Sequence, residues 1–190
     1  GEYGNELDEL ARLSGSKIIE NETKRINEQI DASKLLEEKN LPKNEEERQS
    51  YIDLVKKYII ASDNFIVYRP SMNLHTIIAG YPWFLDWGRD SLIAFEGLLL
   101  ISKRFDIARE VLLTYANNVK QGIVPNGFDE YDGHALYNSA DASLLFFEQV
   151  QKYLDYTNDY EFVKEKLYKI MIKIIDNYLD DTNIDGNNIR

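Results

Sequence analysis

The stretch Asp90-Ser-Leu-Ile-Ala-Phe95 begins a helix that is apolar around almost its whole circumference, and this helix starts a repeated pattern that predicts the fold. The apolar pattern continues to about Lys103. Arg104-Phe-Asp106 then forms a turn into a second helix, which has one polar face and is predicted to end near Lys120. Together these residues predict one helical hairpin.

A weaker copy of this hairpin begins 51 residues later, at Asp141-Ala-Ser-Leu-Leu-Phe146. Its first helix is again apolar and is predicted to end near Tyr156. Thr157-Asn-Asp159 forms the turn, and Glu161 to Leu179 has the pattern of an amphipathic helix. A spacing of 51 residues is within the range expected of helical-hairpin repeats.

The two helices of each hairpin differ in their predicted environments. The first is apolar on all sides and the second has a polar face, which is how the inner and outer rings of an α/α toroid differ. Two hairpins cannot close a ring. We therefore expect an all-α fold, a partial (α/α)6 toroid of helical hairpins, in a domain that continues past Arg190 and is truncated here.

The N-terminal part of the chain has a different character. Residues 8–39 are highly charged, with a patchy helical period that predicts one or two peripheral helices. The run Lys39-Asn-Leu-Pro-Lys-Asn44 interrupts this pattern, and Glu45 to Ala61 then forms an amphipathic helix. We therefore divide the chain into a peripheral helical lead-in, residues 1–44, and a main unit, residues 45–190.

One short β-hairpin is predicted inside the main unit. Phe65-Ile-Val-Tyr68 and His75-Thr-Ile-Ile-Ala79 are β-prone runs on either side of a turn at Pro70 to Asn73. This hairpin leads the chain directly to Gly80.

Composition excludes several classes of function. The chain has 33 acidic and 22 basic residues, a net charge of −11, and no basic stripe that could follow a phosphate backbone. We therefore expect neither nucleic acid nor a membrane surface as a partner, whereas a neutral glucan is indifferent to this charge. The absence of cysteine and of a leader-like apolar run favours a cytoplasmic location.

No cofactor and no metal site is expected from the sequence. His75 and His134 lie in different segments without metal-ligand spacing, which argues against zinc. Asp181-Thr-Asn-Ile-Asp-Gly186 matches the first half of a calcium loop, but the bidentate glutamate of such a loop would fall beyond Arg190. A polar turn accounts for this segment.

The largest group of side chains that could bind a ligand lies in one segment, Gly80-Tyr-Pro-Trp-Phe-Leu-Asp-Trp-Gly-Arg-Asp-Ser91. Trp83 and Trp87 lie just before Arg89 and Asp90 at a helix start. Sugars present apolar faces that stack on aromatic rings and hydroxyls that require directional donors and acceptors, so this set suits a hexose. The alternatives are a core role for Trp83 and Phe84 and an N-cap or first-turn role for Asp90.

A long glycine-containing loop, 121–137, precedes the second apolar helix. Loops at this end of a toroid line its mouth, so Asn126, Asp129 and Asp132 are candidate substrate contacts, although solvated loop acids are common. Asp141 occupies the same position in its repeat as Asp90, and we expect both acids to face one cavity.

These motifs resemble, in order and spacing, the α-1,6-glucosidase domain of bacterial-type glycogen debranching enzymes. The resemblance is carried by Gly80-Tyr-Pro-Trp-Phe-x-x-Trp-Gly-Arg-Asp90, Arg104-Phe-Asp-x-Ala-Arg-Glu110, Pro125-Asn126 and Tyr137-Asn-x-Ala-Asp-Ala-Ser143. It covers residues 63–159 strongly. Residues 45–190 would then be the N-terminal part of a glucosidase domain with a toroid similar to that of glucoamylases.

The resemblance implies hydrolysis of α-1,6-linked glucose with inversion, on a branched α-glucan such as glycogen or limit dextrin. Arg89 and Asp90 would hold hydroxyls of the terminal sugar, and Asp141 would be the general acid. The candidate substrate-binding residues are Trp83, Trp87, Arg89, Asp90, Asn126, Tyr137 and Asn138. Inversion also needs a carboxylate base, and no position up to Arg190 matches the late glutamate of the family. We therefore expect the chain alone to be inactive and to need the remainder of the same polypeptide.

Other functions remain open at this point. A non-catalytic carbohydrate-binding module would use the same tryptophans and Arg-Asp pair, and a helical-repeat scaffold would use its aromatic residues only as core. For Asp141 the alternative is an ordinary helix-start acid. For Arg89 and Asp90 the alternative is a buried ion pair.

Overall fold

A computed structural model describes residues 15–82, 84–129 and 134–180, together with the backbone of 183–184 and 187–188. The described chain is mostly helical and divides into two units, residues 1–60 and residues 61–190. The calcium-like segment 181–186 lies outside the residues whose side chains are described.

The first unit is formed by two helices joined by short 3-10 turns. Helix α1 is Gly15–Ala32, the turns are Lys34–Leu36 and Glu38–Asn40, and α2 is Glu45–Asp63. The Asn44 side chain accepts hydrogen bonds from the backbone N–H groups of Glu46 (3.0 Å) and Glu47 (3.1 Å). This N-cap explains why the helix begins directly after the predicted break. The small buried core between α1 and α2 consists of Ile30, Val55 and Ile59.

The second unit begins in the last turn of α2 and alternates short β-hairpins with pairs of helices. In chain order the elements are β1 (Ile66–Arg69), β2 (Leu74–Ile77), α3 (Gly88–Phe95) with a π turn (Glu96–Leu100), α4 (Phe105–Ala116), β3 (Gly127–Phe128), β4 (Ala135–Leu136), α5 (Asp141–Thr157), α6 (Tyr160–Phe162) with a π turn (Val163–Leu167), α7 (Tyr168–Leu179), β5 (Asn183–Ile184) and β6 (Asn187–Asn188). Each pair of strands is antiparallel.

The first β-hairpin is fastened to the helices by side chains that bond to its backbone. The Ser91 hydroxyl donates to the carbonyl of Ile77 at 2.6 Å, which ties α3 to β2. The Thr114 hydroxyl donates to the carbonyl of His75 at 2.9 Å, which ties α4 to the same strand. Glu110 accepts from both the backbone N–H (3.0 Å) and the ring Nδ1 (2.7 Å) of His75. The hairpin directly precedes residues 80–91, which we call the glycine-tryptophan motif. These hydrogen bonds therefore hold the hairpin in a defined place.

The core confirms the two helical hairpins. Its largest fully buried side chains include Phe95, Leu99, Tyr115, Phe146 and Tyr153, drawn from both pairs of helices. The predicted hairpins agree with the structure to within a few residues. The turn after α5 also forms where predicted, since Asn158 adopts a left-handed conformation with φ 55°.

Three features differ from the sequence-based expectations. The apolar helices are not buried on all sides, because Ile93 and Leu144, which occupy equivalent repeat positions, are 62% and 65% exposed. The loop 121–137 contains the strands β3 and β4, which are too short to show a periodic pattern. The two π turns also lack a sequence signal.

An apolar stripe runs along α7. Tyr168, Ile172, Ile175 and Leu179 are each at least 41% exposed, and their spacing places them on one helix face. Within the described part of the chain, no helix has the length and apolar character needed to cross a membrane.

Candidate functional site

The starts of α3 and α5 meet through an ion pair. Arg89 Nε lies 2.6 Å from Asp141 Oδ2, although the two residues are 52 positions apart in the chain. Both side chains are accessible, with 57% of Arg89 and 43% of Asp141 exposed. Two motifs that lie far apart in the sequence are therefore brought together at one accessible place.

The Asp141 carboxylate has a second partner that the sequence analysis did not identify. The Ser139 hydroxyl donates to Asp141 Oδ1. The hydrogen bond from Arg89 is the main cause that lowers the pKa of Asp141, the Ser139 hydroxyl lowers it further, and partial burial opposes both. In this arrangement Asp141 is an ionised carboxylate at neutral pH.

The segment Trp87-Gly88 lies directly against the segment Pro125-Asn126-Gly127. The backbone N–H of Gly88 donates to the carbonyl of Asn126 at 2.7 Å. A Cβ atom added to Gly88 would lie 2.5 Å from the carbonyl oxygen of Pro125, and one added to Gly127 would lie 3.2 Å from the Trp87 ring. Glycine is required at position 88 because no side chain fits between these backbones.

Asn126 and Asn138 contact each other rather than being separate loop residues. Asn126 Nδ2 donates to Asn138 Oδ1 at 3.0 Å, and the Asn126 backbone N–H donates to the carbonyl of Leu136 at 2.7 Å. The Tyr137 hydroxyl donates to the carbonyl of Asn118 at 2.7 Å, and Lys120 lies over the Tyr137 ring. The Tyr137 side chain therefore holds the loop to the end of α4, while Asn138 is exposed.

Asp90 is exposed in the first turn of α3 and borders a shallow, mainly apolar pocket. The ion-pair partner of Arg89 is Asp141, and the pair is exposed, so the alternative of a buried ion pair for Arg89 and Asp90 is wrong. The pocket beside Asp90 is lined by Phe65, Ile78, Ala79, Ile93, Ala94 and Leu98. A carboxylate at the edge of an apolar surface suits a sugar, which has both kinds of surface.

Two of the candidate residues, Trp83 and Asp132, lie outside the described residues. Asp129 is described, and its backbone N–H donates to the carbonyl of His134 at 2.8 Å, on the loop side of the hairpin formed by β3 and β4. Its backbone carbonyl accepts from Arg69 at 3.3 Å.

A buried ion pair beside the site was not predicted from the sequence. Arg69 and Asp86 make two hydrogen bonds, of 2.7 Å and 3.0 Å, and Asp86 is only 1% exposed. Asp86 lies inside the glycine-tryptophan motif, which was the available signal, but Arg69 is 17 residues away on β1 and nothing local marks it. Among the described residues, no cluster of three histidine or carboxylate side chains could hold a metal ion.

Comparison with known proteins identifies the family of this chain. Residues 60–187 match the family model described as amylo-alpha-1,6-glucosidase. A glycogen debranching enzyme from Saccharomyces cerevisiae (strain ATCC 204508 / S288c) is 32% identical over 115 residues. That match covers 58% of this chain and 7% of the yeast protein, so the chain corresponds to a small part of that relative. The chain belongs to the amylo-alpha-1,6-glucosidase family.

Proposed function

We propose that the chain forms part of an enzyme that hydrolyses the α-1,6-glucosidic branch points of glycogen or limit dextrin with inversion. The observation that carries this proposal is the meeting of Arg89 and Asp141 at 2.6 Å, at the starts of two repeated helices. In this proposal the candidate sugar-binding motif and the candidate acid would reach one substrate. We further propose that the repeated hairpins belong to an (α/α)6 toroid, with this site at its mouth.

In this proposal Asp141 is the general acid. Because it is ionised while Arg89 contacts it, it must gain a proton before it can act. A general acid must be protonated before it can donate to the leaving oxygen. The Arg89 guanidinium opposes that, because it lowers the pKa of Asp141. Substrate binding therefore has to draw Arg89 away from Asp141. Ion pairs between exposed side chains contribute little free energy, so sugar hydroxyls can compete for this arginine.

The substrate-binding roles follow from the chemistry of each side chain. Trp87, and Trp83 by resemblance, would stack on the apolar face of a glucose ring. Arg89 would donate two parallel hydrogen bonds to its hydroxyls, and Asp90 would accept from them. Asn126 and Asn138, which hold each other at 3.0 Å, would offer amide groups beside the ring. Tyr137 would position Asn138 through its bond to α4.

The base of the inverting reaction is assigned to no residue of this chain. Inversion needs a second carboxyl about 6.5 to 9.5 Å from the acid. We propose that the remainder of the same polypeptide supplies it, so that the 190 residues alone are inactive. Release of glucose from a branched limit dextrin by the purified chain, at a rate comparable to that of an intact enzyme, would contradict this assignment.

The roles of Asp141 and Arg89 can be separated in the complete enzyme. Asp141→Asn should lower kcat by about 10² to 10⁴-fold with little change in KM. Arg89→Lys keeps the charge but loses the planar guanidinium, so its loss should appear in kcat/KM. An α-glucosyl fluoride, whose leaving group needs no protonation, should restore much of the rate to Asp141→Asn and little to Arg89→Lys. Equal impairment of a folded Asp141→Asn on both substrates would exclude Asp141 as the acid.

A second candidate function is sugar binding without turnover. It is favoured by the ion pair itself, because Asp141 held as a carboxylate can accept hydrogen bonds from sugar hydroxyls but cannot protonate a leaving group. The two functions differ in the complete protein. A binding module would retain Asp141-dependent affinity for isomaltose and release no glucose from any α-1,6-linked substrate.

A further inference from the structure

Arg69, at the end of β1, joins two segments of the candidate site through one guanidinium group. Its Nε and Nη2 atoms donate to the two oxygens of Asp86, at 2.7 Å and 3.0 Å. The same group donates to the backbone carbonyls of Asp129 (3.3 Å) and Phe128 (3.5 Å). A planar guanidinium can make these bonds together because its donors point in fixed, diverging directions.

The burial of this pair makes the arginine necessary. Asp86 is 1% exposed, and the Arg69 side chain is 17% exposed. Burial is the main cause that raises the pKa of Asp86, and Arg69 opposes it. A buried carboxylate without its partner would be strongly unfavourable. The local fold therefore requires the contact between Arg69 and Asp86.

The two joined segments are the ones that carry the proposed sugar contacts. Asp86 immediately precedes Trp87, and Phe128 follows Asn126 by two residues. The same segments already meet where the Gly88 N–H donates to the carbonyl of Asn126. A single contact would let the segments rotate about each other. The guanidinium adds a second contact and so fixes their relative orientation.

We propose that Arg69, through Asp86 and the carbonyls of Phe128 and Asp129, is a positioning residue that sets the placement of Trp87 relative to Asn126. This inference rests on the proposed sugar site, although Arg69 itself would not touch the sugar. Its consequence is that replacing Arg69 should move the Trp87 ring before any ligand is added.

Arg69→Lys is the first variant to measure. Lysine keeps a positive charge beside Asp86, but a single ammonium group cannot span the carboxylate and both carbonyls. The double variant Arg69→Gln with Asp86→Asn removes both buried charges together, so no uncompensated charge remains to unfold the chain.

The matched control is Arg104→Lys, which changes a second buried arginine that is also paired with an aspartate. Arg104 is 4% exposed, and its Nη2 lies 3.1 Å from Asp63 Oδ1. It also donates to the carbonyl of Leu98 at 3.3 Å. The control therefore reproduces the loss of a buried guanidinium whose bonds to Asp63 and Leu98 lie outside the segments 86–88 and 126–129.

Two readouts on the 190-residue chain test the inference separately from the proposed function. Trp83 and Trp87 are the two tryptophans of the sequence, so ¹H–¹⁵N spectra contain two indole signals, which Trp83→Phe assigns. Tryptophan fluorescence during titration with isomaltose gives the Kd, with maltose as the α-1,4-linked comparison. Arg69→Lys and the double variant should shift the Trp87 indole signal and raise the Kd for isomaltose about tenfold, as expected when the displaced Trp87 ring no longer stacks fully on the sugar. Arg104→Lys should do neither.

Each result decides the inference. Folded Arg69 variants with an unmoved Trp87 signal and an unchanged Kd would overturn it, as would equal changes in Arg104→Lys. If both Arg69 variants unfold while Arg104→Lys folds, Arg69 supports the fold as a whole and the positioning role is wrong. If the wild-type chain does not bind isomaltose, the sugar contacts need the remainder of the polypeptide, and the indole signal alone still decides whether Arg69 places Trp87.

Discussion

Replacing Gly88 by alanine should destabilise the protein, although alanine normally stabilises a helix. Gly88 is the first residue of α3, and its added Cβ atom would lie 2.5 Å from the carbonyl oxygen of Pro125 and 3.2 Å from Asn126 Cα. Both neighbours are backbone atoms, which cannot rotate away. The two segments must therefore separate by roughly 0.9 Å to reach an ordinary contact distance.

This separation should weaken a hydrogen bond and lower the stability of the fold. It would stretch the 2.7 Å bond from Gly88 to Asn126 to roughly 3.6 Å, beyond the usual range of such bonds. Overpacking costs about 1 to 3 kcal/mol and the weakened bond about 1 kcal/mol, whereas removing a helical glycine returns about 0.5 to 1 kcal/mol. A net loss of about 1 to 3 kcal/mol should lower the Tm by about 3 to 10 °C in a chain of this length.

Thermal unfolding followed by circular dichroism measures this change. The control is Gly15→Ala at the start of α1, where an added Cβ atom meets nothing within 4 Å. Its Tm should stay the same or rise slightly. Gly127→Ala should give an intermediate loss, because its Cβ atom would meet the Trp87 ring at 3.2 Å. A Tm for Gly88→Ala equal to or above that of the wild type would refute the reasoning.

Three further predictions concern charge and exposed surface. Removing Arg89 by Arg89→Met should raise the pKa of Asp141, so the basic limb of kcat/KM in the complete enzyme should move to higher pH; an unmoved limb would show that Asp141 does not control it. The pKa of Asp159 is lowered, chiefly by the hydrogen bond from the Tyr153 hydroxyl. Its contribution to stability is therefore present above the unfolded pKa of about 4 and lost as pH falls below it, so the Tm difference between wild type and Asp159→Asn should shrink in acid; a difference independent of pH would contradict this. The exposed apolar stripe on α7 and Leu144 should cause self-association of the chain, which Ile172→Glu should weaken in sedimentation experiments; a wild-type monomer at all concentrations would count against it.

Local patterns in the sequence determined most of the secondary structure and the motifs. The periodicity of apolar residues placed the helices of both hairpins, because a helix buries residues three and four positions apart. The run Thr157-Asn-Asp159 indicated the turn that ends α5, where Asn158 adopts a left-handed conformation. The motif around Trp87 and Arg89 and the acid at Asp141 were also visible in the sequence. Each of these signals depends on residues that are neighbours along the chain.

Tertiary packing alone decided which of these residues meet. The sequence marks Arg89 beside Asp90, but the structure pairs Arg89 with Asp141 across 52 positions. It also pairs Arg69 with the buried Asp86, and it leaves Ile93 exposed on a helix whose pattern predicts burial. The physical reason is that helix periodicity arises within one turn of backbone. Ion pairs and burial instead depend on how elements far apart in sequence pack, and no local pattern records that distance.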